Sequence, residues 1–287
     1  MAPLASGSPF EVESAVADPV ASYSLGKPKR RFHFRWWRFF VLAIAGAYIL
    51  IPLYAGIKFS LEGNNGGFSF LAYKSIPSAP GFTAALSLSF KLAVATIVVS
   101  TLLMVPTSIY VHLRMPRFRR VLDLVTVMPI VIPPIVLIVG VLGDFPLWAK
   151  SSPYLLSFMY VILAMPFVYR SLDAGLSAID LKTLTEASRS LGGNWIKTMW
   201  QVIIPNIRPA LLSATVLTLA LVFGEYTMAS LDSWQTIPVW IAQFQTSSDG
   251  HLQVAASMMG LVGTWVLLML VVSLDRSQSR RRRRQTV

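Results

Sequence analysis

Six long apolar stretches decide what this chain can fold into. Residues 39–59 (FFVLAIAGAYILIPLYAGIKF) carry no charge before Lys58. About 20 helical residues rising 1.5 Å each match a bilayer hydrocarbon core of about 30 Å, so this stretch predicts a first spanning helix. It is too long for a signal-peptide core and no small-residue cleavage site follows, so the helix is expected to be retained. Further spans are predicted at 84–110, 121–142, 153–172, 207–231 and 252–274. The expected fold class is therefore all-α, an integral membrane protein of six transmembrane helices. Composition agrees, because only 13% of the residues are charged, too few to cover an ordinary soluble domain. With no cysteine in the chain, disulfide scaffolds, thiolate-ligated zinc and thiol catalysis are excluded.

Charge then orients the spans. The net charge of +12 could point to nucleic acid, but the basic residues alternate with apolar runs instead of covering one polar domain. Residues 27–38 hold six Lys or Arg, 111–120 four, 170–208 five and 276–287 six, together 21 of the 25. The other side has only Lys58, Lys74 and Lys150, while Lys91 lies early in the second span, where its long stem can reach outward. Strict alternation over six spans places both termini in the cytoplasm, by the preference of basic loops for that side. Three regions are expected: a disordered basic cytoplasmic tail over 1–38, a membrane domain over 39–275 with its core at 84–231, and an Arg-rich cytoplasmic tail over 276–287. The run Arg280 to Arg284 is read as holding that tail to anionic membrane lipid, with no nucleic acid partner.

Prolines punctuate the spans. Pro129, Pro133 and Pro134 crowd the third, which should bend or partly unwind there, and Pro106 and Pro166 predict milder kinks. No repeat of 20–50 residues is present.

Between the fourth and fifth spans lie about 34 residues, more than a simple helix connection needs. Asp180 can cap a helix through LKTLTEASRSL, with Leu181, Leu184, Ser188 and Leu191 on one face and Thr183, Glu186 and Arg189 elsewhere. Gly192 and Gly193 should stop it through a residue of positive φ. Asn194 can cap a second segment, WIKTMWQVII, which Pro205 should end. From composition alone, such a hairpin could equally lie in the headgroup layer on Trp195 and Trp200.

The spacing in this loop resembles a known signature. Glu186-Ala187-Ser188, three residues, Gly192, nine residues and Val202-Ile203-Ile204-Pro205 are similar to the cytoplasmic EAA loop of ATP-binding-cassette importer permeases, where Glu-Ala-Ala, three residues, Gly and nine residues precede Ile-x-Leu-Pro. Ser188, Val202 and Ile204 depart from that pattern conservatively. The likeness extends over about 68–275, and VMPIVIPPIV and IPVWIAQF look most similar to the spermidine and putrescine branch. The resemblance implies a type I importer permease fold in the cytoplasmic membrane, with Glu186, Ala187, Ser188, Gly192, Val202, Ile204 and Pro205 in a coupling loop that docks on a separate ATPase subunit. It further implies two permease subunits, two ATPases and one extracytoplasmic substrate-binding protein. Polyamine is the expected cargo, with ferric iron, thiamine, sulfate or phosphonate as the alternatives.

No cofactor is expected in this chain. Its sole Gly-Lys pair, Gly26-Lys27, precedes Pro28 and cannot form a phosphate-cradling loop, so ATP would be bound by the partner ATPase. An enzyme is not expected: Ser248, Asp249 and His251 are too close in sequence to converge as a triad, and Ser24-x-x-Lys27 lacks companion motifs. A channel or membrane enzyme is the alternative of a different class. Glu225 is the sole acidic residue well inside a span, and helical spacing would align Ala214, Thr218, Glu225, Ala229 and Asp232 along one side. Thr218, Glu225 and Ala229 are thus candidates to line the path. The other reading of Glu225 is a structural hydrogen bond, to Tyr226 or Thr227 of the second permease subunit.

Overall fold

The computed structural model describes residues 36–62, 67–243 and 250–285. The expected tail over 1–38 lies almost wholly outside these, as do Ser24, Lys27, Ser248 and Asp249. The chain divides into two units, Met1–Leu50 and Ile51–Val287. Apart from an isolated bridge between Glu62 and Phe68, the described residues form helices and their connections.

Helix α1 covers Trp36–Ser60 and continues through Pro52. After the short α2, Leu71–Ser75, α3 runs for 33 residues over Phe82–Arg114 and is not interrupted at Pro106. The third span is two helices, α4 at Arg119–Val131 and α5 at Pro134–Asp144. They are bent by 88° across Ile132 and Pro133. This is the break the three prolines call for: Pro133 supplies no donor, and it holds the preceding residue in extended backbone. A short α6, Leu147–Lys150, leads to α7, Tyr154–Ser177, which runs through Pro166.

Then come α8 at Leu181–Ser190, α9 at Trp195–Lys197, a π-helical turn at Thr198–Ile203 and α10 at Ile204–Asn206. The fifth span, α11, covers Arg208–Gly224 and is bent by 74° from the segment before it. It is shorter than the expected 207–231, because the chain leaves the helix at Glu225 and starts again as α12, Thr227–Leu231. Helices α13, Ile237–Gln243, and α14, Gly250–Gln285, follow, the latter running on through the arginines beyond the predicted span end at 274. Among the described residues, four helices are long and apolar enough to cross a membrane, and up to six spans result when each bent pair counts as one.

Within the second unit, α3, α7 and α11 pack together. Toward the α8 end, Ile109, Leu172, Leu176, Leu181, Ile203 and Ile207 share one buried cluster. Toward the other end, Leu92 and Tyr160 meet Ile138 of α5 and Met228 and Ala229 of α12, so the helices that follow the breaks at Pro133 and Glu225 pack on the same core. Many large apolar side chains, among them Leu102, Leu124 and Leu270, point outward, as suits a protein whose surroundings are hydrocarbon.

Candidate functional site

The loop between α7 and α11 is built by local punctuation. Asp180 accepts from the Thr183 amide at 3.2 Å and from the Thr183 hydroxyl at 2.7 Å, capping α8 as expected. These bonds hold the Asp180 carboxyl below its ordinary value. The cap is therefore complete at neutral pH and is lost only as pH falls through that lowered value. At the other end the backbone turns on Gly192, whose φ of 77° is left-handed. Gly193 closes the turn with its amide on the Ser188 carbonyl at 2.9 Å, and a Cβ there would lie 2.6 Å from Ser188 Oγ. Asn194 then caps the next segment through the Lys197 amide at 2.8 Å.

A side-chain bond spans the corner. The hydroxyls of Ser188 and Thr198 are 2.8 Å apart, tying α8 to the π-helical turn. Ser188, a departure from the family's alanine, thus gains an interhelix partner that the sequence did not disclose. The buried face of α8 is formed by Leu181 and Thr185, with Leu184 and Ser188 half-buried. Leu191, expected on that face, is 88% exposed: it lies past the last full turn, where the glycine corner swings it outward. Glu186, Ala187 and Gly192 share this exposed edge, and Ile196 and Trp200 are exposed beyond the corner. The second segment does not end at Pro205. It continues to Asn206, with Val202, Ile204 and Pro205 half-buried, and breaks at Ile207.

At Glu225 the expected helical stripe does not form. Backbone angles of φ −81° and ψ 119° take Glu225 out of the helix that holds Ala214 and Thr218, so Glu225, Ala229 and Asp232 do not continue their line. The carboxylate turns back onto its own chain. It accepts from the Met228 amide at 2.9 Å, from the Ala229 amide at 3.4 Å and from the Tyr160 hydroxyl at 3.2 Å. Those amides are first-turn donors of α12, which have no intrahelical acceptor and, in lipid, no water. Breaking a span at this depth is tolerable because a side chain replaces the lost partners. Thr218 and Ala229 are buried within the chain. Glu225 has an interhelix bond of a different kind from the one considered to Tyr226 or Thr227 of a second subunit: its donor is Tyr160 of the same chain, 65 residues away.

The arrangement is a capped, exposed elbow rooted in a bundle of spanning helices. Residues 104–284, which include this elbow, match the family described as binding-protein-dependent transport system inner membrane component. The chain belongs to that family. It is 26% identical over 248 residues to a probable molybdenum ABC transporter permease protein of Haloferax volcanii, covering 81% of this chain and 89% of the relative. It is 30% identical over 118 residues to the sulfate transport system permease protein CysW of Synechococcus elongatus, covering 39% of this chain and 40% of that one. It is also 38% identical over 74 residues to the ferric transport system permease protein FbpB of Actinobacillus pleuropneumoniae, covering 26% of this chain. The matched stretches thus span 11% of the ferric relative and 40% of the sulfate relative. The all-helical architecture is that of a type I permease, as the sequence implied.

Proposed function

We propose that this chain is the membrane-spanning subunit of a binding-protein-dependent importer, moving a small solute across the cytoplasmic membrane while a separate ATPase subunit supplies the energy. The observation that carries the reading is the exposed edge of Glu186, Ala187 and Leu191 on an elbow rigidly capped at both of its helices. A partner that grips this edge can turn the elbow, and Leu181, buried with Leu176 and Ile207, passes the displacement to α7 and α11. ATP hydrolysis belongs to the partner in this reading. A second permease subunit and an extracytoplasmic substrate-binding protein complete the complex. Purification should bring down an ATPase whose hydrolysis rises with the loaded binding protein. A chain that conducts or catalyses alone would instead be a channel or an enzyme.

For the cargo we propose a small oxyanion. A relative matched over 81% of this chain and 89% of its own length is named for molybdenum, and another for sulfate. Glu225, which would have offered a polyamine a carboxylate, is engaged by three donors of its own chain. Polyamine is the second reading and ferric iron the third. Titrating the cognate binding protein with molybdate, sulfate, ferric iron and spermidine separates them. The alternation of basic loops supports a reading with both termini in the cytoplasm. Cysteines at Ser69 and Ser188 test this: an impermeant thiol reagent should label the first from outside intact cells and not the second.

A further inference from the structure

The last turns of α7, just before the elbow, carry a polar cluster that neither the caps nor the corner requires. Asp173 Oδ1 accepts from Arg119 Nε at 3.2 Å and Nη2 at 2.8 Å, and the same oxygen lies 3.2 Å from His112 Nε2. Arg119 Nη2 also donates to Ser177 Oγ at 2.7 Å, and the Tyr169 hydroxyl donates to the Arg119 carbonyl at 3.1 Å. His112 sits in the last turn of α3, Arg119 is the first residue of α4, and Tyr169, Asp173 and Ser177 are on α7. One carboxylate therefore joins α4 to α7 within about two turns of Asp180, the residue that caps α8. His112 Nδ1 lies 2.8 Å from the Ser108 carbonyl, which can only accept, and burial lowers the ring's pKa, so the neutral ring donates to Ser108 and offers Asp173 no proton.

Stability does not account for this cluster. The side chains of Asp173 and Arg119 are 34% and 37% exposed, and ion pairs so open to solvent contribute little to folding. Helices α3 and α7 are already held by buried Val105, Ile109, Val168 and Leu172. Apolar contact is non-directional, however, and lets helices slide or roll on one another. Directed hydrogen bonds do not. Helix α4 most needs such a restraint, because it buries only Thr126 and Pro129 before the bend that leads to α5.

We propose that Asp173 is a positioning residue for energy coupling: through Arg119 it clamps the start of α4 to the end of α7 so that a displacement of α8 moves both as one body. The inference rests on reading α8 as the ATPase-docking helix. Its test uses the whole complex of this chain with its ATPase and binding protein in proteoliposomes, reading solute uptake and ATP hydrolysis from the same vesicles. Asp173→Ala should assemble and keep hydrolysis stimulated by the loaded binding protein. Uptake per ATP should fall at least about fivefold, the low end for coupling between distant sites. Asp173→Asn keeps an acceptor oxygen and should recover part of the ratio. Arg119→Gln should lower the ratio like Asp173→Ala, and the double variant should be no worse than either single, as expected for one shared interaction. Should Asp173→Ala fail to assemble, Arg119→Gln is judged by the same ratio. An unchanged ratio, or uptake and hydrolysis falling in parallel, would overturn the clamp. A wild-type complex without binding-protein-stimulated hydrolysis would overturn the importer reading itself.

Discussion

The elbow at Gly192 and the break at Glu225 are two interruptions of helix made by different means. At the elbow every device is local: Asp180 bonds Thr183, Asn194 bonds Lys197, and Gly192 adopts the positive φ that the turn demands. At Glu225 the backbone leaves the helix without a strong breaker, and the carboxylate that repairs the damage also takes a bond from Tyr160 on another helix. Local punctuation shapes an exposed surface that can be gripped. A tertiary bond lets a broken span survive inside the bundle, where water cannot stand in.

The largest effects are expected at the elbow. Gly192→Pro replaces a φ of 77° with one near −65°, and Glu186→Lys reverses charge on the exposed edge. Either change should reduce uptake to background while the amount of protein in the membrane stays normal, measured by transport assay and immunoblot. Wild-type uptake in both would remove the docking assignment. At the break, Glu225→Ala should act on stability: losing the cap costs about 0.5–2 kcal/mol, and leaving the Tyr160 hydroxyl unpaired adds about 1–3 kcal/mol. Thermal unfolding of purified protein should show the loss, and Glu225→Gln, which keeps an acceptor oxygen, should restore most of it together with uptake. Near-wild-type stability with Gln but no uptake would instead put the charge itself in the transport path.

Smaller effects sharpen the contrast. Tyr160→Phe removes one of the bonds to Glu225 and should cost about 1 kcal/mol in the same unfolding assay. Ser188→Ala, which restores the family's alanine, should cost no more than about 1 kcal/mol through the lost Thr198 bond. Its uptake should stay close to wild type. If Ser188→Ala disabled transport as fully as Gly192→Pro, the side-chain bond rather than the backbone turn would be holding the elbow.

Legibility in the sequence follows the same division. The spans, the proline bend of the third, the caps at Asp180 and Asn194 and the turn at Gly192 depend on neighbours in the chain, so residue type and spacing disclose them. Helical periodicity predicts Leu191 on the buried face, but the glycine corner redirects the chain one residue earlier. The stripe through Ala214, Thr218, Glu225, Ala229 and Asp232 requires an unbroken fifth helix, and Gly224, the breaker that precedes the stop, is a residue spanning helices often carry without ending. Tyr160 and Glu225 are 65 residues apart, and Arg119 and Asp173 are 54 apart. Their pairing depends on which helix faces lie together, which periodicity alone does not specify.

In the proposed importer, the exposed edge of the elbow is the surface an ATPase grips. Because the chain has no cysteine, single cysteines can be placed in it without background from its own residues. Ala187→Cys and Leu191→Cys lie on the exposed edge, while Trp148→Cys, at a side chain 79% exposed near the opposite end of α7, serves as the control. With a short bifunctional thiol reagent in assembled membranes, the first two should crosslink to the ATPase subunit and the third should not. No crosslink from either elbow position, or equal crosslinking from Trp148→Cys, would contradict the account.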